Sequence, residues 1–388
     1  DVCFALESFQ EKSIPLAVGY EYYIQPNKNG TLTGEGKMSQ KDISIDGQEA
    51  SKQATDADFY ASMEKAGVTP LWDRYNDLIP PEPTPRDPGT QWRWQDLLPL
   101  IERASSDITT EHAERRVLML LNPIFNGEAL TTTGMFGALQ ILLPGEMARV
   151  HRHSATAFRF VMDGRGAQTT VNGKVCPMNE GDVVLTPNWA WHEHANPGSE
   201  RVCWFDGLDY PLAAFYNAVF SDHGPAGNFP PDQSTLPDGT YATAGLVADT
   251  KRDQVPFSPM FHYPWSGVCE ALAAMEPEAD GSRRVHYTNP VDGGPVTPTM
   301  DLYALQLSAK AKTKPYRTTS NAICVVAEGE GATNIGDKRI DWQKNDIITL
   351  PHWTWISHVA ASDNAKLFLS TDRAVLKQIN LLRDEVQD

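Results

Sequence analysis

Residues 151–153 read His151-Arg152-His153, and about forty residues further on the chain reads Trp191-His192-Glu193-His194. Both segments sit in stretches that alternate like β-strands, where residues two apart share a face, so His151 and His153 project together. A third imidazole from His192 would close a facial set of nitrogen donors and leave the opposite side of an ion free. His194 shares the face of His192 if the strand is regular. It is either a fourth donor or a hydrogen-bonding or acid/base group beside the site.

Outward from these segments the chain reads as short strands separated by Gly, Pro and Asn turns from about Gly134 onward, the signature of a sandwich or small barrel. Val171-Asn172-Gly173-Lys174 predicts a tight type I′ hairpin, because Asn-Gly accepts positive φ at both central positions. The pattern then recurs. Phe160-Val161-Met162-Asp163-Gly164-Arg165-Gly166-Ala167 is echoed by Val325-Val326-Ala327-Glu328-Gly329-Glu330-Gly331-Ala332, and Thr186-Pro187-Asn188-Trp189-Ala190-Trp191 by Leu350-Pro351-His352-Trp353-Thr354-Trp355. Ala138-Leu139-Gln140 is matched to Ala304-Leu305-Gln306. Two related barrels in one chain are expected. The second carries Tyr316, Thr318 and Ile356 at the places of His151, His153 and His192, keeps only His358 as the partner of His194, and should hold no metal.

The expected organisation is an N-terminal arm with short helices over 1–105, a first barrel over 106–245, a linker over 246–285, and a second barrel with a C-terminal helix over 286–388. Within the arm, Gly30, Gly34 and Gly36 suggest loop, and Asp56 to Ala66 suggests a helix stopped by Gly67 and Pro70. Pro80, Pro81, Pro83, Pro85 and Pro88 form a stiff extended segment, and Leu97 to Ala104 a second helix. The first hundred residues read as an appendage suited to oligomer contacts. Pro211 to Phe220 predicts a helix leaving the first barrel. Val375, Leu376, Ile379, Leu382 and Val386 give a C-terminal helix one apolar stripe.

A chain of 388 residues with 41% hydrophobic residues can build sizeable cores. The charge of −17 disfavours nucleic acid and anionic membrane surfaces, so an anionic substrate needs a local cation. No apolar run is long enough to span a bilayer and no signal-like leader opens the sequence. Cys3, Cys176, Cys203, Cys269 and Cys324 are odd in number and scattered, which suits free thiols in the cytoplasm.

Gly145 followed after five residues by His151-Arg152-His153, and Gly181 followed after five by Pro187, with His192 and then Asn196 beyond, resembles the two motifs of the cupin superfamily. Two departures stand out. Ala157, Phe158 and Arg159 occupy the stretch where many cupins add a glutamate ligand, and Trp189 stands where a glycine is usual. His-Arg-His with Arg159-Phe160, Pro187 through His194, and Trp204-Phe205-Asp206-Gly207-Leu208-Asp209 together resemble the gentisate 1,2-dioxygenase family, which includes salicylate and 1-hydroxy-2-naphthoate ring-cleaving enzymes. The resemblance runs from roughly Leu71 to the C-terminal helix.

That resemblance implies an all-β dominated bicupin: two double-stranded β-helix (jelly-roll) barrels with flanking short helices and an N-terminal arm. It also implies one Fe(II) ion on His151, His153 and His192, and a homotetramer. Three neutral imidazoles leave a divalent ion its full charge and three open positions, a variant of the facial triad of non-haem iron oxygenases. A salicylate-type dianion fills two of them and dioxygen the third. Zinc would fit the ligands but lacks the redox step.

Arg159, six residues after His153 and replaced by Cys324 in the second repeat, is the candidate partner of a substrate carboxylate. Its alternative is a structural pair with Asp163 or Asp206. Gln140 either reaches the substrate or, since Gln306 repeats it, plays a shared structural role. Arg115 matches a family position near the pocket mouth, although from its own neighbours it reads as a surface arginine. Asp206 either accepts a hydrogen bond from a second ring hydroxyl or orients His194 or Arg159. Phe136 and Ala138 are candidate pocket walls, and Trp189 and Trp191 packing around a ligand-bearing turn.

The implied activity is extradiol-type cleavage of gentisate to maleylpyruvate, with salicylate or 1-hydroxy-2-naphthoate as alternatives. Another cupin activity, such as an isomerase or manganese oxidase, would usually keep the missing glutamate. A non-catalytic cupin binding protein would have lost the ligands of both barrels.

Overall fold

The strands of residues 82–388 pair into four sheets, and the central strands of the two six-stranded sheets are buried along nearly their whole length. The protein, a computed structural model, is described over residues 22–26, 32–36, 57–109, 113–224, 236–241, 243, 246–249 and 255–387. Cys3 and Gly30 lie outside these. Residues 1–81 and 82–388 are separate compact units. In the first, Tyr22–Pro26 pairs antiparallel with Leu32–Gly36, so Gly34 and Gly36 are strand rather than loop. Its helix Ala57–Lys65 ends just before Gly67, whose φ of +70° no helix continues through.

In the larger unit the first barrel has a six-stranded sheet in the order His262–Tyr263, Val183–Thr186, Ala157–Asp163, Val202–Leu208, Phe136–Leu142, Arg116–Met119. Facing it is a five-stranded sheet in the order Ser221–His223, Met147–His153, His192–Ala195, Arg165–Val171, Lys174–Asn179. The second barrel repeats this order strand for strand, from Gln91–Trp92 through Ile347–Leu350, Ala322–Glu328, Ala365–Thr371 and Asp301–Leu307 to Ser282–Tyr287. Its five-stranded sheet runs Asp384–Val386, Tyr316–Thr318, Ile356–Ala360, Glu330–Ile335, Lys338–Gln343. The fold is the expected all-β bicupin. The hairpin at 172–173 has φ of 46° and 83°, as a type I′ turn requires.

Each barrel borrows an edge. Gln91–Trp92, which precedes both barrels in the chain, pairs with Ile347–Leu350 of the second, and Asp346 accepts a hydrogen bond from the Trp94 amide at 2.7 Å. His262–Tyr263 covers the equivalent edge of the first. A two-residue strand has no period to read, so neither pairing is legible from local sequence. Covering these edges removes open rows of N–H and C=O groups. One core spans the two barrels, with Phe160 stacked on Phe368 at 4.3 Å between ring centres, while the second barrel encloses a separate cluster that includes Leu305, Ile340, Trp342 and Ile356.

The expectations change in two ways, the first being the length of two helices. The C-terminal helix is only Arg373–Gln378; Asn380 turns left-handed at φ 60°, and Asp384–Val386 pairs instead with Tyr316–Thr318. Two charges hold that strand: Arg373 donates to both oxygens of Asp384 at 2.6 and 2.7 Å, and Arg317 to Glu385 at 2.6 Å. The apolar stripe is thus divided between two elements. Similarly, the helix expected over 211–220 spans Tyr210–Phe215 and stops before Asn217, at φ 52°.

The second change is one of register. Ala157 lies opposite Leu208, and Leu208 opposite Phe136; in the second barrel Ala322 lies opposite Thr371, and Thr371 opposite Asp301. Counting two and four residues on, Ala138 corresponds to Tyr303 and Gln140 to Leu305. Gln306 is therefore not the counterpart of Gln140. A slip of one residue turns a strand side chain to the opposite face. Gln140 is buried in its barrel, whereas Gln306 bonds Asn364 at the surface.

Candidate metal centre

His151 and His192 face one another in the pairing of Met147–His153 with His192–Ala195, and His153 lies two residues on along the same face. Ring centres are 4.0 Å apart for His151 and His192, 4.9 Å for His153 and His192, and 5.4 Å for His151 and His153. One nitrogen from each ring lies within 4.8 Å of those of the other two. The predicted hairpin helps aim this edge: Asn172 accepts from the Trp191 amide at 2.8 Å and donates its own to Trp191 O at 2.7 Å, immediately before His192.

Backbone carbonyls set the tautomers. The Nδ1 atoms of His151, His153 and His192 lie 3.1, 2.7 and 2.9 Å from the carbonyl oxygens of Arg149, Ala155 and Ala190. A carbonyl only accepts, so each Nδ1 carries hydrogen and each Nε2 keeps its lone pair. The Nε2 of His192 is buried with no hydrogen-bond partner. Burial, followed by the positive charge of Arg115, holds His151 down at about 2, and burial holds His153 down at about 4; burial also pushes His192 well down. Three neutral imidazoles with converging lone pairs fit a divalent metal, and an orphaned lone pair in the interior is explained by one.

His194 stands apart from this triad. A register shift separates it from His192, its ring centre is 5.7 Å from that of His192, and its Nδ1 shares a 2.8 Å hydrogen bond with Thr169 Oγ1. In the second barrel His358 makes the same bond with Thr333 at 2.9 Å. The pairing thus persists where the other three histidines are lost.

The opposing sheet sends a second group of residues to the same interior. Phe136, Ala138 and Gln140 alternate on one strand, Trp204 and Asp206 on the next, and Arg159 lies opposite Asp206 on the third. Arg159 is 4% exposed and donates from Nη1 to Thr186 Oγ1 at 2.6 Å. Its Nε lies 3.3 Å from Asp206 Oδ1 but is too poorly aligned to form a hydrogen bond. Of the two structural partners weighed, Asp206 is therefore near, while Asp163 pairs with Arg201 at 2.6 Å. Burial pushes Asp206 up to about 6, against the pull of Arg159 and the indole N–H of Trp204.

Arg115 is not a surface arginine. Its Nε and Nη2 are buried without hydrogen bonds, Glu114 is 3.7 Å away, and its charge acts on Asp206, His151 and Arg159. Gln140 Nε2 is likewise buried and unpartnered. Unmade donors of three side chains thus surround the histidines. Such groups cost about 1–3 kcal/mol each when left unsatisfied, so the arrangement calls for an acceptor-rich ligand.

Reading the sequence residue by residue missed Arg152. It points away from the ligand face, between the rings of Trp189 and Trp191 at 4.2 and 4.4 Å. Trp189 sits at φ +62°, which explains why glycine is usual there; its amide donates to His153 O at 2.8 Å. The repeated Trp-x-Trp was the available signal.

A cupin domain profile matches residues 138–208. The chain is 35% identical to gentisate 1,2-dioxygenase 1 of Aquipseudomonas alcaligenes, over 84% of this chain and 95% of that one. It is 34% identical to a 5-aminosalicylate 1,2-dioxygenase of Comamonas, over 85% and 90%. The salicylate 1,2-dioxygenase of Pseudaminobacter salicylatoxidans superposes with a TM-score of 0.79 at 29% identity, covering 84% of this chain and 96% of that one. With this fold, and a histidine triad able to hold the metal cofactor of such an oxygenase, the chain belongs to the gentisate 1,2-dioxygenase family of ring-cleaving dioxygenases.

Proposed function

We propose that this enzyme opens the ring of gentisate between the carboxylate-bearing carbon and the adjacent hydroxylated carbon, using iron(II) on His151, His153 and His192. Both atoms of dioxygen end in the product, maleylpyruvate. Iron(II) at this position supplies the redox chemistry that lets an electron-rich ring react with triplet dioxygen. The observation that carries the reading is the set of buried, unmade donors on Arg159, Arg115 and Gln140 around the triad.

A ring carboxylate offers acceptors to both guanidinium groups and, together with Asp206, balances their two charges. Gln140 Nε2 donates to a substrate oxygen. Asp206, pushed up to about 6, is ionised at neutral pH and accepts from the second hydroxyl of gentisate. Salicylate lacks that hydroxyl and would leave this acceptor unused. His194, held by Thr169, moves or holds a proton beside the bound ring. Phe136 and Ala138 form the wall on the same sheet face. Val117 and Met119 share that face and are 37% and 55% exposed, which leaves the mouth open and keeps 1-hydroxy-2-naphthoate as a second reading.

Cys176, Cys203, Cys269 and Cys324 are free thiols, which supports a cytoplasmic enzyme; no helix among the described residues is long and apolar enough to cross a membrane. Phe215, Tyr216 and Phe220 are exposed near one another in sequence, which supports a homo-oligomer, the family's homotetramer being our choice.

The test is anaerobic reconstitution with iron(II), then oxygen uptake on gentisate, salicylate, 1-hydroxy-2-naphthoate and catechol. Gentisate is expected to turn over fastest. Turnover of catechol with none of the carboxylated rings would defeat the proposal.

A further inference from the structure

The second barrel keeps a pocket where the first has its histidines. A cavity of about 440 Å³ is lined by Arg284, His286, Tyr303, Tyr316, Thr318 and Ile356, with further aliphatic side chains. Register places it. Tyr316 faces Ile356 across the strand pair as His151 faces His192. Tyr303 stands for Ala138, Leu369 for Asp206 and Cys324 for Arg159, through the shared pairing Tyr303–Leu369–Cys324 against Ala138–Asp206–Arg159. The pocket has therefore lost its metal donors, its buried arginine and its buried carboxylate together.

One cation has returned at a different point. Arg284 lies opposite Leu305 as Val117 lies opposite Gln140, so its guanidinium enters from the side wall. It rests 4.1 Å from the centre of the Tyr303 ring and makes no ion pair or hydrogen bond among the described residues. The other arginines around the cavity have acidic partners, Arg317 having Glu82 at 3.5 Å as well as Glu385. Arg373 is bidentate on Asp384, Arg317 bonds Glu385, and His286 bonds Asp301, which also accepts from the Tyr303 hydroxyl at 2.9 Å. What remains is one guanidinium, that of Arg284, with no ion pair or hydrogen bond of its own among the described residues, at the rim of a cavity walled by Tyr316, Leu350, Ile356 and Leu369. Its volume lies in the range of small-ligand pockets, roughly 300–1,000 Å³.

We propose that this cavity is a second, non-catalytic ligand site for a single-ring aromatic monocarboxylate. The carboxylate sits on Arg284 and the ring against Tyr316, Leu350 and Ile356. An arginine without an acid partner beside a wall of Tyr316, Leu350 and Ile356 suits a carboxylate carried on an apolar ring. No metal takes part, and the inference does not depend on which substrate the first barrel prefers.

The probe is 4-iodobenzoate on the metal-loaded, full-length protein. Anomalous diffraction from soaked crystals is expected to show iodine in the second-barrel cavity. Calorimetry in solution is expected to show a binding event that weakens about tenfold or more in Arg284→Ala, returns largely in Arg284→Lys, and survives Arg159→Met. Iodine found only beside His151, or nowhere, would overturn the proposal. So would an isotherm unchanged by Arg284→Ala, which would mean binding at crystal concentration only. Because Arg284 is an exposed strand residue, its variants should fold, and circular dichroism with metal content checks that they do.

Discussion

Asp222 Oδ2 accepts a hydrogen bond from Arg152 Nη2 at 2.9 Å, across the edge of the strand that carries His151 and His153. The strand Ser221–His223 is thereby fastened beside the ligands, with Ser221 opposite His153 and His223 opposite His151. The second barrel repeats the device: Arg317 lies between Trp353 and Trp355 at 4.3 and 4.9 Å and bonds Glu385 of Asp384–Val386. An equivalent clamp in a barrel without the histidines, with Glu82 as a second acid at Arg317, makes a useful control. Arg152→Ala is expected to weaken Co(II) binding about tenfold to a hundredfold, as groups that orient ligands do, while Arg317→Ala leaves it unchanged. Equal loss from both variants would mean a purely structural role.

Metal stoichiometry separates the barrels. Elemental analysis of reconstituted protein is expected to give about one iron per chain, from the single three-histidine cluster among the described residues. His192→Ala should abolish retention and His358→Ala should keep it. Two tightly held ions per chain would contradict the assignment.

Arg159→Lys keeps a charge but loses the planar fork, and Arg159→Met loses both. The methionine variant is expected to lower kcat/KM for gentisate by about a hundredfold or more, with iron content retained and the lysine variant between it and wild type. Oxygen-electrode kinetics read this directly. An unaltered KM and kcat in Arg159→Met would remove the residue from substrate binding.

Acid should destabilise the metal-stripped protein through its histidines. An unfolded histidine takes up a proton near pH 6.5, whereas burial holds His153 neutral until about 4. The unfolded chain therefore binds more protons across that window, and the contribution of His153 to stability falls as pH drops from 6.5 toward 4, then levels off. His153→Gln lacks this term, so the difference in urea midpoint between about pH 7 and about pH 5 should be smaller than in wild type. An equal difference would show that His153 does not stay neutral in the fold.

The sequence by itself determined the two-barrel architecture, the type I′ turn at Asn172-Gly173, and the three candidate ligands, because each is written in local spacing. An i, i+2 pair of histidines, an Asn-Gly and a repeated Trp-x-Trp need no distant partner to be read. Tertiary structure decided everything that depends on which strand lies beside which. It separated Gln140 from Gln306 by one residue of register, turned Arg115 inward, set Asp206 against Arg159, and gave Gln91–Trp92 to the second barrel. It also split the C-terminal apolar stripe between a helix and an edge strand. Hydrogen bonds and ion pairs between segments far apart in sequence fix these choices, and a strand's own period of two cannot reveal its neighbour.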